Sequence, residues 1–99
     1  MIEAVTLRHL RYLVALADTL HFGKAAARCH VSQPSLSAQI QQLEDLLGAV
    51  LVERTQRQVL MTAAGLEAVG RARRVLADRD DVGAAMRASA EPVSGRVRL

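Results

Sequence analysis

The stretch that most constrains how this chain can fold is residues 22–48, FGKAAARCHVSQPSLSAQIQQLEDLLG. Its second half opens with a strong helix start. Ser32 can accept a hydrogen bond from one of the unpaired N–H groups that begin a helix. Pro34 falls in the first turn, where a missing N–H costs nothing, and Gly48 has the position of a helix-ending glycine. The pattern predicts a short helix, a tight turn and a second helix over 33–47.

The helix predicted over 33–47 has two unlike faces. Its apolar residues repeat at helical spacing and form one narrow stripe, which we expect to be buried: Leu36, Ile40, Leu43 and Leu47. The opposite side is small, polar and uncharged, and consists of Pro34, Ala38 and Gln41, flanked by Ser35, Ser37 and Gln42. Solvated helix faces usually carry Glu and Lys. Serine and glutamine can instead donate and accept hydrogen bonds toward base edges.

The charge pattern around this helix favours a polyanionic partner. No acidic residue lies between Asp18 and Glu44, whereas Lys24 and Arg28 lie inside that interval. A polar helix of an ordinary helical bundle remains an alternative on composition alone. The capped turn, the acid-free interval and the short preceding helix together favour a helix-turn-helix.

Composition is compatible with such a domain. The chain has 99 residues, of which 51% are apolar and only 2% aromatic, so the core must be aliphatic and helical. Its net charge of +3 permits nucleic acid, a membrane surface or an acidic protein as partner. A single cysteine cannot form an internal disulfide, which fits a reducing cytoplasm. We find neither a signal sequence nor an apolar run that could span a bilayer, and we expect no membrane association.

A first helix is predicted at the N-terminus. Thr6 can cap a helix over residues 7–19. An apolar stripe at helical spacing would pack on the helix-turn-helix and consists of Leu10, Leu13, Val14 and Ala17. Arg8 and Arg11 lie on the exposed side, where solubility is the simplest interpretation of surface charge. The next helix is predicted over about 23–30, with Phe22 filling the core before it.

Two short apolar runs after Gly48 predict a hairpin. Residues 51–54 and 58–61 are separated by Thr55, Gln56 and Arg57, although these are not the strongest turn residues. In a winged helix-turn-helix this hairpin is the wing. Arg54 and Arg57 would then lie over the edge of the duplex, where they would neutralise phosphates or enter the minor groove. The alternative is that they only add solubility.

The remaining chain is predicted to be one long helix followed by a hinge. From the cap Thr62 the sequence is helical to about Ala90 and contains no proline before Pro92. Alternating spacings of four and three form a weak coiled-coil seam of Ala68, Ala72, Val75, Arg79, Val82, Met86 and Ser89. Because so small a domain offers no core for a helix of this length, we expect it to pair with a second copy. Residues 91–95 are interpreted as a hinge and 96–99 as a strand-like alternation.

These residues resemble a known family. The segments Phe22-Gly-Lys-Ala25-Ala26, Val31 to Ile40, Leu43-Glu44 and Leu47-Gly48 closely resemble the N-terminal DNA-binding domain of LysR-type transcriptional regulators. The resemblance covers nearly the whole chain, since it continues through Arg54, Arg57, Leu60, Thr62, Ala64 and Gly65. Within the family, residues 12–17 and 29–34 look most like the peroxide-sensing OxyR branch.

The resemblance implies a function and a set of partners. We expect a bacterial, cytoplasmic, nucleoid-associated DNA-binding domain that recognises an inverted repeat in double-stranded DNA. Homodimers would form through the long helix, and tetramers would form in the full-length regulator. An activator of the oxidative stress response is implied by the OxyR likeness. RNA polymerase is a further expected partner, since Arg8 or Arg11 near the start of the first helix could contact either the DNA backbone or the polymerase. The effector-binding domain of the family would begin at 96–99.

The predicted fold is mainly α, a winged helix-turn-helix with a two-stranded wing and a long C-terminal dimerisation helix. Its parts are a DNA-binding domain over 1–62, a linker helix over 63–90, and a hinge with the expected start of an effector-binding domain over 91–99. The expected DNA contacts are Ser32, Gln33, Pro34, Ser35, Ser37, Ala38, Gln41, Lys24, Arg28, Arg54 and Arg57. Many relatives carry a longer side chain at the position of Ala38. The alternative function is a helical protein-interaction module without specific DNA binding.

No catalytic or metal site is predicted. The sequence contains no recognisable nucleophile–base pair, phosphate loop or paired metal-ligand spacing, so we predict no enzyme activity and no cofactor. Cys29 invites a redox interpretation, but a free cysteine among alanine and valine is more often a small buried apolar residue. In the resembled family the redox-active cysteines belong to the C-terminal regulatory domain.

Overall fold

The computed structural model describes residues 2–96 and the side chains of residues 2–89. A short 3-10 turn at Ile2–Ala4 precedes the first helix. The regular elements follow as α1 Leu7–Thr19, α2 Phe22–Arg28, α3 Gln33–Leu47, β1 Val52–Arg54, β2 Val59–Met61 and α4 Ala63–Arg96. Helices α1, α2 and α3 enclose a mostly aliphatic core whose largest fully buried side chains are Leu13, Leu16, Leu36, Ile40, Leu43 and Leu51. The predicted winged helix-turn-helix is confirmed.

Helix α1 begins with a reciprocal cap that also contacts α3. The backbone N–H of His9 donates to Thr6 Oγ1 over 3.2 Å, and the backbone N–H of Thr6 donates to His9 Nδ1 over 2.9 Å. Because Nδ1 accepts the hydrogen bond from Thr6, the imidazole hydrogen lies on Nε2. Nε2 then donates to Gln42 Oε1 over 2.8 Å. His9 is buried, and it therefore joins the start of α1 to the recognition helix. Our prediction gave His9 no role and placed Gln42 beside the outer face.

Helix α2 is shorter than predicted. It ends at Arg28, and His30 then adopts a positive φ of 60° in the turn before α3. Its start is capped by His21, whose Nδ1 accepts from the backbone N–H of Lys24 over 3.0 Å. Phe22 is the first helical residue and is buried, as predicted.

The predicted hairpin is confirmed, and it joins α4 through a close backbone contact. β1 and β2 are antiparallel, with Val52 opposite Met61 and Arg54 opposite Val59. Thr62 then donates from its hydroxyl to the Val50 carbonyl oxygen over 2.7 Å and accepts from the Gly65 N–H over 2.9 Å.

The first turns of α4 lie on the domain rather than in solvent. They pack against α1, and Val69 and Ala72 are buried there. The expectation that α4 has no core to lie on is therefore wrong for this part of the helix. Ala72 is only 1% exposed within one chain, so it belongs to the internal core and not to a seam that faces a second copy.

Helix α4 also extends further than predicted. It continues to Arg96, so residues 91–95, predicted as a hinge, and Arg96, predicted as strand-like, lie within the helix. Proline fixes φ near the helical value, so Pro92 can continue a helix although it gives up one backbone hydrogen bond. Residues 97–99 of the expected strand lie outside the described residues. Between residues 2 and 96, none of the helices is long and apolar enough to cross a membrane.

Candidate nucleic-acid interface

The entrance of α3 is built as the sequence predicts. Ser32 is the N-cap, and its Oγ accepts from the Ser35 backbone N–H over 3.2 Å. The Ser32 hydroxyl also lies 2.9 Å from Ser35 Oγ, which holds the two hydroxyls together at the exposed helix start. Gly48 ends the helix with a φ of 67°. The positive end of the helix dipole thus lies at a surface that carries the hydroxyl groups of Ser32 and Ser35.

The outer face of α3 is exposed, and most of its predicted contacts line one shallow cleft. Gln33 and Ser35 are exposed at the helix start. The cleft lies between α3 and β1, and the predicted contacts in its lining are Pro34, Ser37, Ala38, Gln41 and Arg54. Gln41 donates to Asp45 Oδ1 over 3.1 Å, so the acid-free surface ends one turn further along the helix.

Glu44 fixes the wing relative to α3. Its Oε2 accepts from the backbone N–H groups of Leu51 and Val52 over 2.7 and 3.1 Å. The carboxylate is therefore turned toward the backbone that leads into β1. Its role is to set the position of the hairpin beside the recognition helix, which the sequence pattern did not predict.

Arg54 does not extend over the edge of the wing as predicted. Its guanidinium carbon lies 4.0 Å from the centroid of the Phe22 ring, and its Nη2 donates to Ser37 Oγ over 2.8 Å. An aromatic face and a hydroxyl on two neighbouring helices attract the guanidinium back toward α3. Arg54 therefore belongs to the surface of the recognition helix.

Arg57 lies in the loop that joins the two strands. This loop is closed by Thr55, whose backbone N–H donates to the Gln58 carbonyl oxygen over 2.8 Å and whose Oγ1 accepts from the Gln58 N–H over 3.0 Å. The side chain of Arg57 is exposed at the tip. Lys24 is likewise exposed, near the start of α2. Both cations remain available to a phosphate backbone.

Arg28 lies close to a carboxylate of α1. Its Nη1 lies 3.7 Å from Asp18 Oδ2 on α1, while Arg73 on α4 donates to Asp18 Oδ1 over 2.6 Å. One carboxylate thus binds two arginines from two helices. The Arg28 side chain is still 57% exposed beside Asp18, so a DNA contact by Arg28 stays a prediction. The sequence alone gave no signal that residues so far apart would pair.

Cys29 is buried at the end of α2. Burial raises the pKa of its thiol, while the positive charges of Arg11 and Arg28 act in the opposite direction to a smaller extent. A protonated thiol is a poor nucleophile, so this environment favours the packing interpretation over a redox role. Among the described residues, no three His, Cys, Asp or Glu side chains are close enough to share a metal ion.

Comparison with known proteins identifies the family. The sequence model described as "Bacterial regulatory helix-turn-helix protein, lysR family" matches residues 7–66, which is more than half of the chain. The chain therefore belongs to the LysR family of bacterial regulatory helix-turn-helix proteins.

Two curated relatives show where the chain lies within that family. It is 48% identical over 95 residues to the uncharacterized HTH-type transcriptional regulator YnfL of Escherichia coli K12, covering 96% of this chain and 32% of the relative. It is 58% identical over 72 residues to the DNA-binding transcriptional dual regulator OxyR of the same organism, covering 73% of this chain and 24% of the relative. The chain thus spans about a quarter to a third of the length of these relatives.

Solved structures are similar over most of the chain. The BenM DNA-binding domain in complex with catB site 1 DNA superposes with a TM-score of 0.85 at 39% identity, covering 88% of this chain and 97% of that one. Full-length OxyR C199D from Pseudomonas aeruginosa superposes with a TM-score of 0.82 at 44% identity, covering 85% of this chain and 28% of that one. The winged helix-turn-helix and its long helix are thus shared with these structures.

Proposed function

We propose that this chain is the sequence-specific DNA-binding domain of a LysR-type transcriptional regulator. The observation that carries the proposal is α3, whose apolar stripe is buried in the chain while its capped start and its small, uncharged outer face remain exposed. Similarity to the BenM domain solved with DNA supports the same conclusion. The function requires no cofactor and no catalysis.

Within this proposal α3 lies in the major groove. Gln33 and Ser35 would contact base edges near the helix start, and Pro34 would offer an apolar contact to a thymine methyl group. Ala38 and Gln41 would face the groove further along the helix, where the small alanine shifts recognition toward DNA shape. Lys24 and Arg57 would contact phosphates on either side of the groove. The duplex would then contact α3, the start of α2 and the tip of the wing together.

The distal part of α4 supports a homodimer. Val75, Val82 and Met86 form an apolar line along the helix and are 42%, 61% and 59% exposed in a single chain. Arg79 interrupts the line, but its guanidinium is bound to the neighbouring Asp80 over 2.9 Å. A second copy of α4 would cover this line, and its two-fold symmetry would demand an inverted-repeat site. Residues 63–90 are thus proposed as the dimerisation helix.

The likeness to OxyR extends the proposal to the whole regulator. We propose that the domain works in the bacterial cytoplasm, at the nucleoid, as part of a hydrogen-peroxide-responsive activator. Such a regulator would assemble as a tetramer and contact RNA polymerase through its DNA-bound form. The response would depend on an effector-binding domain joined after residues 91–99. Identity of 58% with OxyR over the DNA-binding region supports this step.

The test is a salt series of binding to two short duplexes, one with an inverted repeat from the promoter next to the gene and the other scrambled. Tighter binding to the first and a steep common salt dependence are expected. Replacing Gln33 with Ala should lower the discrimination between the preferred base and the other bases at one position by about 1–3 kcal/mol. Equally weak binding to both duplexes at every salt concentration would instead support a helical protein-interaction module.

A further inference from the structure

Three side chains from three elements form a cluster beside the outer face of α3. They are Phe22 at the start of α2, Ser37 in α3 and Arg54 at the end of β1, and we refer to them as the Arg54 cluster. The guanidinium carbon lies 4.0 Å from the Phe22 ring centroid, and Nη2 lies 2.8 Å from Ser37 Oγ. Phe22 is only 8% exposed and supplies a rigid surface beneath the guanidinium.

The cluster leaves most of the hydrogen-bonding capacity of Arg54 unused. A guanidinium carries five N–H donors in a fixed plane, and one of them is bound to Ser37. In the described part of the chain no carboxylate forms an ion pair with Arg54. Arg54 as a residue is exposed. Its remaining donors are therefore available to a ligand that approaches α3.

The same contact determines what Ser37 can offer. Its oxygen accepts from Arg54, so the hydroxyl hydrogen is left to act as a donor. Within residues 2–89 no side chain or backbone group accepts that hydrogen. Ser37 is half-buried and cannot move far from α3. The Arg54 cluster thus presents a group of donors, held at fixed positions, at the edge of the surface that faces the groove.

Only some base edges can satisfy such a group. In the major groove guanine offers two acceptors, N7 and O6, whereas cytosine offers a donor, its N4 amino group. Adenine and thymine each present at most one acceptor beside an amino or methyl group. A donor-only cluster therefore fits guanine best and is repelled by cytosine.

We propose that Arg54 is a positioning and specificity-determining residue that acts through Ser37. Stacked on Phe22, it holds the Ser37 hydroxyl as a donor, and the pair selects guanine at one position of each half-site. This inference rests on the proposed DNA-binding function and adds the base that the cluster recognises. It differs from a phosphate contact at the wing, which would carry no sequence preference.

The experiment is a selection from a library of duplexes with a randomised central segment, read by sequencing. The wild-type chain is compared with Arg54→Lys, which keeps the charge but loses the planar fork, and with Ser37→Ala. Both variants should lose the preference for guanine at the same position of the selected motif, by about tenfold or more. The double variant should lose no more than either single variant, because the two residues act as one unit.

Arg57→Ala is the matched control on the same hairpin. It should weaken binding to all sequences and leave the motif unchanged. A wild-type chain that selects no motif would overturn the proposed function itself. If the wild type selects a motif but Arg54→Lys and Ser37→Ala leave it unaltered, or alter different positions independently, the positioning role of Arg54 is wrong. Far-UV circular dichroism of each variant confirms that the readout concerns folded protein.

Discussion

Helices α3 and α4 begin in the same way but are completed differently. Each starts at a hydroxyl cap, Ser32 for α3 and Thr62 for α4, and each carries apolar residues at spacings of three and four. The stripe of α3 is covered by its own chain, so the position of its outer face is fixed internally. The stripe of α4 is covered only as far as Ala72. Apolar spacing thus predicts that a face will be buried, but it does not tell which chain covers it.

Removing a buried side chain from α3 should have the largest effect on stability. Ile40→Ala deletes apolar volume from a site that is fully enclosed, so we expect a loss of about 2–5 kcal/mol in the free energy of unfolding. Urea denaturation followed by circular dichroism at low protein concentration measures it. Val82→Ala is the matched control in distal α4 and should change stability by less than about 0.5 kcal/mol. Equal losses from both variants would show that the single chain covers the apolar residues of α3 and of distal α4 to the same extent, which contradicts the comparison.

The stability of the fold should be sensitive to added side-chain volume in the first turn of α4, where the helix contacts the chain before β1. A Cβ at Gly65 would overlap the Leu51 carbonyl oxygen, so Gly65→Ala should cost about 1–3 kcal/mol of folding free energy. Gly70 lies one and a half turns further along, and a Cβ there would meet nothing within 4 Å. Gly70→Ala should therefore stabilise the helix by about 0.5–1 kcal/mol. The same denaturation assay measures both variants. If Gly65→Ala and Gly70→Ala changed the free energy of unfolding in the same direction, the assignment would be wrong.

The distal part of α4 should affect association and leave the fold of the single chain unchanged. Val82→Glu places an unpaired carboxylate in the proposed dimer contact, so we expect the dimer to weaken by at least about tenfold. Sedimentation equilibrium over a range of concentrations measures the dissociation constant. Ala84→Glu adds the same charge on the opposite side of the helix and serves as control. If it weakened the dimer as much as Val82→Glu, the proposed seam would be misplaced.

The smallest effect is expected at the ion pairs that join α1, α2 and proximal α4. Asp18→Asn removes the partner of both Arg28 and Arg73. Because these groups are solvent-exposed, the loss should stay below about 1 kcal/mol and should shrink further in high salt. Thermal unfolding at two salt concentrations tests this. Asp80→Asn is the control, because among the described residues Asp80 pairs only with the adjacent Arg79, and it should leave stability unchanged within error. A greater loss of stability from Asp80→Asn than from Asp18→Asn would contradict the proposed role of Asp18.

The sequence predicted local structure well and side-chain partners poorly. Ser32, Pro34 and Gly48 are local signals, so the ends of α3 could be placed correctly. His9 had a detectable signal as well, because a threonine followed three residues later by a side-chain acceptor is the spacing of a capping box. Arg28 could not be assigned in this way. Its partner Asp18 is brought close by the packing of α1 against α2, which no local pattern encodes.

The same limit applies to Arg54 and to α4. The wing was predicted from two short runs, but the contact of Arg54 with Phe22 and Ser37 depends on how three elements meet. Ala72 matched a coiled-coil seam because alanine fits equally well inside a domain and between two helices. At Pro92 the general rule against proline within a helix predicted an end that the helix does not have.

The backbone contact at Gly65 has a mechanical consequence. Beyond this residue α4 continues for roughly 45 Å at 1.5 Å per residue, while its first turn is fixed by Thr62 to the chain that enters β1. The helix is therefore attached to the wing at its N-terminal end and extends away from it as a long rigid element. Because the first turns of α4 also pack on α1 as far as Ala72, a displacement of a few ångströms at the far end would tilt the whole domain by only a few degrees, and α3 and the wing would tilt with it. A change in the distance between the distal ends of two such helices would thus change the angle at which each DNA-binding domain faces the duplex.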